Sequence, residues 1–190
     1  MEFRLTYRGP LRSRARAVAA DKQALRRYFH SQLRQLWTQS PLNEMPKLID
    51  PALMDVPAEV TLLKNVGAFQ FAPLISATYG WNTVADLEIL FLRPSPPGAL
   101  IRHGGDLDNR IKTLMDSLRM PCVNELPMGD LPGTDEKPFF VLMSDDALAT
   151  SFSVVTDRLL TPAHNDDVEL VILVKVGTTR TSWTNISIIG

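Results

Sequence analysis

The chain predicts a mixed α/β fold of the α+β kind, with a mixed sheet of about four to five strands packed against two main helices. Three observations carry this. Apolar and polar residues alternate near both ends, as half-buried strands require. Two separate stretches repeat apolar residues at helical spacing. The resulting order (strand, helix, strand, strand, helix, strand, strand) keeps neighbouring strands too close in sequence for a doubly wound parallel sheet. A chain of 190 residues, 45% of them hydrophobic, suits a single domain over 1–190 with a substantial core.

The first strand is expected over 2–8, where Phe3, Leu5 and Tyr7 point one way and Arg4, Thr6 and Arg8 the other. A basic loop follows, and from about Asp21 a helix runs with Leu25, Phe29, Leu33, Leu36 and Trp37 on one stripe until Pro41 ends it. Pro41, Pro46, Pro51 and Pro57 break residues 41–66 into a loop with short helical turns, read as an insertion. Two strands, 67–78 and 84–93, follow, with the tight "YGWN" between them predicting a hairpin. Phe69, Phe71, Trp81 and Phe91 are expected in the core or at a dimer interface. After "PSPPG" a second helix carries Leu107, Ile111, Leu114, Met115 and Leu118 at helical spacing. Four prolines make 121–144 an exposed excursion, a second insertion. The last strands are expected over 151–158 and 167–176, with Val168, Leu170, Ile172, Val174 and Val176 sharing a face.

Net charge is −1 but uneven. Residues 1–40 hold nine Lys/Arg against Glu2 and Asp21, a balance of +7, while the other 150 residues hold 11 basic and 19 acidic groups, a balance of −8. Such asymmetry suggests a polyanion-binding arm, or else a solvated helix face. Arg8, Arg12, Arg14 and Arg16 are the candidate phosphate contacts, since guanidinium forks match phosphate oxygens. The single Cys122 excludes an intrachain disulfide and a Cys-based zinc cluster. No apolar run is long enough to span a membrane, and "MEFRLTYRGP" has no apolar signal core, so a cytoplasmic protein is expected.

The stretch that carries chemistry is "GGDLDNRIKTLMDSLRMP", 104–121. Asp106 and Asp108 open a helix, where the unpaired N–H groups and the dipole favour carboxylates. Asp108, Lys112 and Asp116 share one helix face, which a solvated Asp–Lys–Asp ladder explains without chemistry. The alternative is half of a magnesium site, with Lys112 one turn along against a scissile phosphate and a further carboxylate supplied from elsewhere.

The stretch "DLDNRIKTLMDSL", followed by "SDDALATSFSVVTDRL", resembles the RusA family of Holliday junction resolvases. The family begins a helix with D-L-D-N-x-x-K, carries an aspartate one turn after the lysine, and leads from a D-D pair into a strand. Asp106, Asp108, Asn109, Lys112 and Asp116 fall on the first motif, and Asp145 and Asp146 on the second. The resemblance covers roughly residues 100–160. It implies that Asp106, Asp108 and Asp146 bind Mg²⁺, with Mn²⁺ an alternative, and that Lys112 is the catalytic lysine. It further implies a homodimer cutting branched DNA by phosphodiester hydrolysis. The 38 positions from Asp108 to Asp146 exceed the family's compact spacing, which makes Asp130 and Asp135 competitors for the last carboxylate. A non-cutting DNA-binding or assembly protein on the same fold is the alternative, as is a nuclease for another nucleic acid.

Other clusters have structural readings. "HNDDVEL" sets His164, Asp166 and Asp167 together, as a turn before a strand also would. His103 is an incidental loop histidine or a proton shuttle, and Gly104 and Gly105 permit a sharp entry into the helix. Ser144 and Ser151 have no histidine at a triad spacing.

Overall fold

A computed structural model of the chain describes residues 1–13, 17–53, 60–94, 105–164 and 167–189, the side chains of Pro51, Asp106 and Ile189 excepted. The chain is of the mixed α+β class. Its elements are β1 (Glu2–Pro10), α1 (Ala19–Leu36), β2 (Lys64–Val66), β3 (Phe69–Ile75), β4 (Thr83–Arg93), α2 (Gly105–Leu118), β5 (Phe139–Met143), β6 (Ala149–Arg158), β7 (Asp167–Thr178) and the short α3 (Ile186–Ile189). Among the described residues no helix is long and apolar enough to cross a membrane.

The strands form two sheets where one of four to five strands is expected. The larger has the order β1-β7-β4-β6, and the smaller β2-β3-β5. In the larger, β7 runs antiparallel to both β1 and β4, while β6 lies parallel to β4. In the smaller, β2 is antiparallel and β5 parallel to β3. The alternating strands behave as their sequences predict. Leu5 and Tyr7 of β1, and Val168, Leu170, Ile172, Val174 and Val176 of β7, turn into the core. Each such large apolar side chain stabilises the fold by about 1.5–3 kcal/mol on burial.

The expected hairpin through "YGWN" does not form, because β3 and β4 belong to different sheets. The chain turns a corner there instead. Trp81 Nε1 donates to Leu74 O at 2.7 Å, and Thr83 Oγ1 accepts from Ser76 N at 2.8 Å, so side chains take bonds that a ladder would have taken. The hairpin is one step earlier: β2 and β3 pair through Gly67-Ala68, with Gly67 at φ +58° in the left-handed region that a two-residue turn needs. β5 lies inside the proline-rich 121–144 stretch, where an excursion is expected. Its run "FFVLM" is buried on both faces. Phe139 and Val141 join Phe69 and Phe71 under Val66, Met120 and Leu126, while Phe140 and Leu142 face the main core. Phe69, Phe71, Trp81 and Phe91 are all core residues.

Helix α1 begins where Asp21 Oδ2 accepts from Val18 N at 3.0 Å, satisfying an otherwise unpaired N–H at the helix entrance. Of its expected stripe Leu25, Phe29, Leu33 and Trp37 are buried, and Leu36 is half-buried against the core. Its polar side closes the sheet: Gln32 donates to Thr6 O and accepts from Thr6 N, covering the free edge of β1. Its basic groups are mostly engaged within the chain. Arg27 pairs with Asp130 (2.9 Å) and Glu136 (2.8 Å), Arg34 with Asp135 (3.3 Å) and Lys22 with Asp116 (2.6 Å). Much of the N-terminal positive charge is therefore the complement of an acidic segment about a hundred residues away.

Candidate active site

The expected site residues are carried on α2 and on the turn between β5 and β6. Helix α2 packs by Ile111, Leu114 and Leu118, which are buried, and its polar face is left for charges. On that face Lys112 Nζ donates to Asp108 Oδ2 at 2.8 Å. The carboxylate precedes the ammonium by one turn, the favourable order along the helix dipole. Both side chains are exposed, Asp108 at 63% and Lys112 at 52%. Asp106 falls within the same first turn, its side chain outside the described residues.

The anticipated Asp–Lys–Asp ladder stops after this pair. Asp116 turns instead to Lys22 at 2.6 Å and Arg119 at 3.5 Å, with only 18% of its side chain exposed. Arg119 also holds Glu125 at 2.7 Å. Beneath them Arg26 donates to Asp116 O (2.7 Å), Arg119 O (3.4 Å) and Gln23 Oε1 (3.2 Å), satisfying carbonyls at the end of α2. Burial pushes the Arg26 guanidinium down to about 10. Burial also opposes charge on Arg119, but the Glu125 bond and the carboxylates of Glu125, Asp116 and Asp146 outweigh it and raise its pKa. Burial likewise opposes charge on Glu125, yet the bonds from Arg119 and Cys122 N hold its carboxyl below the usual range.

Asp145 and Asp146 sit where β5 ends. Asp145 Oδ1 accepts from Ala147 N at 2.9 Å, capping a single 3₁₀ turn, Asp146–Leu148. Asp146 is exposed, and its carboxylate has no ion pair or hydrogen bond among the described residues. The turn is tied to the far end of α2, since Met120 N donates to Met143 O at 2.8 Å. Asp108 lies eleven residues before Arg119, about 16 Å of helix rise. The fold thus brings Asp108 to Lys112 and groups Asp146 with Arg119.

The competitors have other partners: Asp130 is bound to Arg27 and Asp135 to Arg34. Among the described residues no three His, Cys, Asp or Glu side chains cluster as a metal-binding group. Asp167 Oδ2 accepts from Ala163 N (3.0 Å) and His164 N (2.8 Å), the turn geometry expected before β7. Asp166, His103, Gly104, Arg14 and Arg16 lie outside the described residues. Arg8 is exposed on β1, and Arg12 reaches Asp21 at 3.3 Å. Arg119, Lys22 and Arg26 carry no motif in sequence. The available signal is that Arg119 follows Asp116 by one turn; the link to α1 is tertiary.

No family model matches this chain, and neither curated proteins nor solved structures give a match.

Proposed function

We propose that the protein is a divalent-metal-dependent endonuclease that hydrolyses phosphodiesters in branched DNA such as four-way junctions. The observation that carries this is the exposed Asp108–Lys112 pair on the opening turns of α2, in the order D-L-D-N-x-x-K. The donors are carboxylate oxygens, the hard ligands that suit magnesium or manganese; Asp106 and Asp108 would hold the ion, and Asp146, which stands at the Arg119 end of α2, would join them only if the turn after β5 closes towards the start of the helix. Once bound, the metal would neutralise phosphate charge and lower the pKa of a coordinated water.

The chain's own groups do the rest. Lys112, paired with Asp108 on the same helix face, would stabilise charge developing on the phosphate. Asp146 is exposed, and among the described residues it makes no direct ion pair that a metal would have to displace. Arg8 and Arg12, with Arg14 and Arg16, supply phosphate contacts that orient the duplex without reading sequence. A homodimer would present two such sites to the two strands of a symmetric junction.

Purified full-length chain with Mg²⁺ is expected to nick a four-way junction, and Asp108→Asn is expected to abolish the nicks. The reading is overturned if calorimetry detects no divalent-metal binding and no branched, duplex or single-stranded DNA is cut. Metal-independent junction binding without scission would mark a non-cutting binding protein instead. Cleavage of RNA or unbranched DNA alone would move the activity to another substrate.

A further inference from the structure

Away from α2, the corner after β3 and the segment after β7 build a second feature. Ser182 Oγ donates to Gly80 O, Asn185 Nδ2 donates to Trp81 O at 2.7 Å, and Thr179 N donates to Asn82 O at 3.0 Å. These bonds strap residues 179–185 to residues 80–82. They leave Tyr79 and Trp183 outside, 79% and 95% exposed. A fully solvated tryptophan on an otherwise well-bonded strap is a costly use of a large apolar side chain, and such exposure marks an interaction site.

Both aromatics line one cavity of about 280 Å³ together with Asn82, Arg180, Ser182 and Thr184. Among the described residues Arg180 is the sole charged group lining it, and its guanidinium has no hydrogen bond or ion pair there. Among the described residues the cavity thus offers flat aromatic surfaces, polar hydrogen-bonding groups and one positive charge without a carboxylate beside it. A flat ring bearing a phosphate fits all three properties.

We infer that the Tyr79–Trp183–Arg180 cavity binds an unpaired nucleotide of single-stranded nucleic acid, the base against the aromatics and its phosphate at Arg180. The inference extends the nucleic-acid reading above: a branched substrate exposes unpaired nucleotides, and this cavity would engage them apart from the cleavage chemistry.

Tryptophan fluorescence of the full chain in EDTA tests it. Trp37 and Trp81 are buried, so red-edge emission reports Trp183. A short oligothymidylate should quench that emission saturably. Trp183→Ala should abolish the signal and weaken oligonucleotide binding, measured by anisotropy, roughly ten- to a hundredfold. Arg180→Ala should weaken binding and reduce the slope of log affinity against log salt by about 0.7. Both side chains are solvated, so melting temperatures of the variants should match wild type.

The inference is overturned if the oligonucleotide leaves Trp183 emission unchanged. It is also overturned if that emission responds only to protein concentration, as when a second copy covers the cavity. Quenching by the oligonucleotide in a protein that cuts nothing would sink the nuclease reading and keep the cavity; junction cleavage without quenching would do the reverse.

Discussion

The two ends of α2 use the same residue types for different purposes. At its C-terminal end Asp116, Arg119, Lys22, Glu125 and Arg26 form a network in which most donors and acceptors are matched and the side chains are largely withdrawn from water. At its N-terminal end Asp108 and Lys112 make one pair that stays in solvent. A charge buried in a saturated network has exchanged water for fixed partners, and removing a partner leaves it stranded. A charge in an exposed pair has given up little hydration and can take a new partner cheaply. Charge content alone therefore does not mark a site. The unsaturated end is the one that can meet a substrate.

Substitutions at the two ends should separate activity from stability. The largest effect is expected from Asp108→Asn, which should drop junction nicking to background, while Lys112→Ala should lower it about a hundred- to a thousandfold. Neither should move the urea midpoint by more than the equivalent of about 0.5 kcal/mol, because the exposed pair is worth that at most. A large stability loss in Asp108→Asn would erase the distinction between the ends.

Next comes Arg26→Met, which keeps the stem but deprives Asp116 O and Arg119 O of their donor. Urea denaturation should reveal a loss of about 2–4 kcal/mol. An unchanged midpoint would mean that the end of α2 is held by its apolar face alone.

A smaller effect is expected at His30, which ties α1 to β5. Its Nδ1 accepts from Phe140 N at 2.9 Å, so Nε2 carries the proton towards Asp135 O at 3.1 Å. Burial, above all, lowers its pKa from the ordinary 6.5. The unfolded chain then takes up the proton first as pH falls, so this contribution is full above about 6.5 and declines as pH drops below that value towards the folded pKa. The melting temperature of the wild type should fall more between about pH 7.5 and about pH 5.5 than that of His30→Gln. Equal falls would show that His30 does not set the slope.

The smallest effect belongs to Glu125, whose lowered pKa stabilises the fold above its ordinary 4.5 and loses that contribution as acid titrates it through the folded value. Glu125→Gln should flatten the acid limb of a stability–pH curve. An unchanged limb would place the carboxylate outside the saturated network.

How far these regions could be read in advance depended on the range of the interactions. The helical stripe of α2 and the D-L-D-N-x-x-K order are local, so both the helix and the Asp108–Lys112 pair could be anticipated from spacing. β1, β4 and β7 were legible for the same reason, since alternation over several residues marks one buried face. β5 was not, because "FFVLM" is apolar throughout and buried on both sides, leaving no period to detect. The corner at "YGWN" has the look of a hairpin, yet Trp81 and Thr83 direct the chain into another sheet through their own hydrogen bonds. The basic N-terminal stretch suggested a polyanion arm, whereas Arg27, Arg34 and Lys22 have acidic partners far along the chain.

Spacing and periodicity along the chain set the α+β class, the faces of its alternating strands and amphipathic helices, and the acid–base pair that opens α2. Each follows from backbone periodicity or one turn of helix, which act over a few residues. Tertiary structure decided which strands share a sheet, which charges are saturated, and that Asp146 stands with Arg119 near the end of α2. Those choices depend on segments meeting across tens to a hundred residues, where packing and charge pairing act through space and leave no period in the chain.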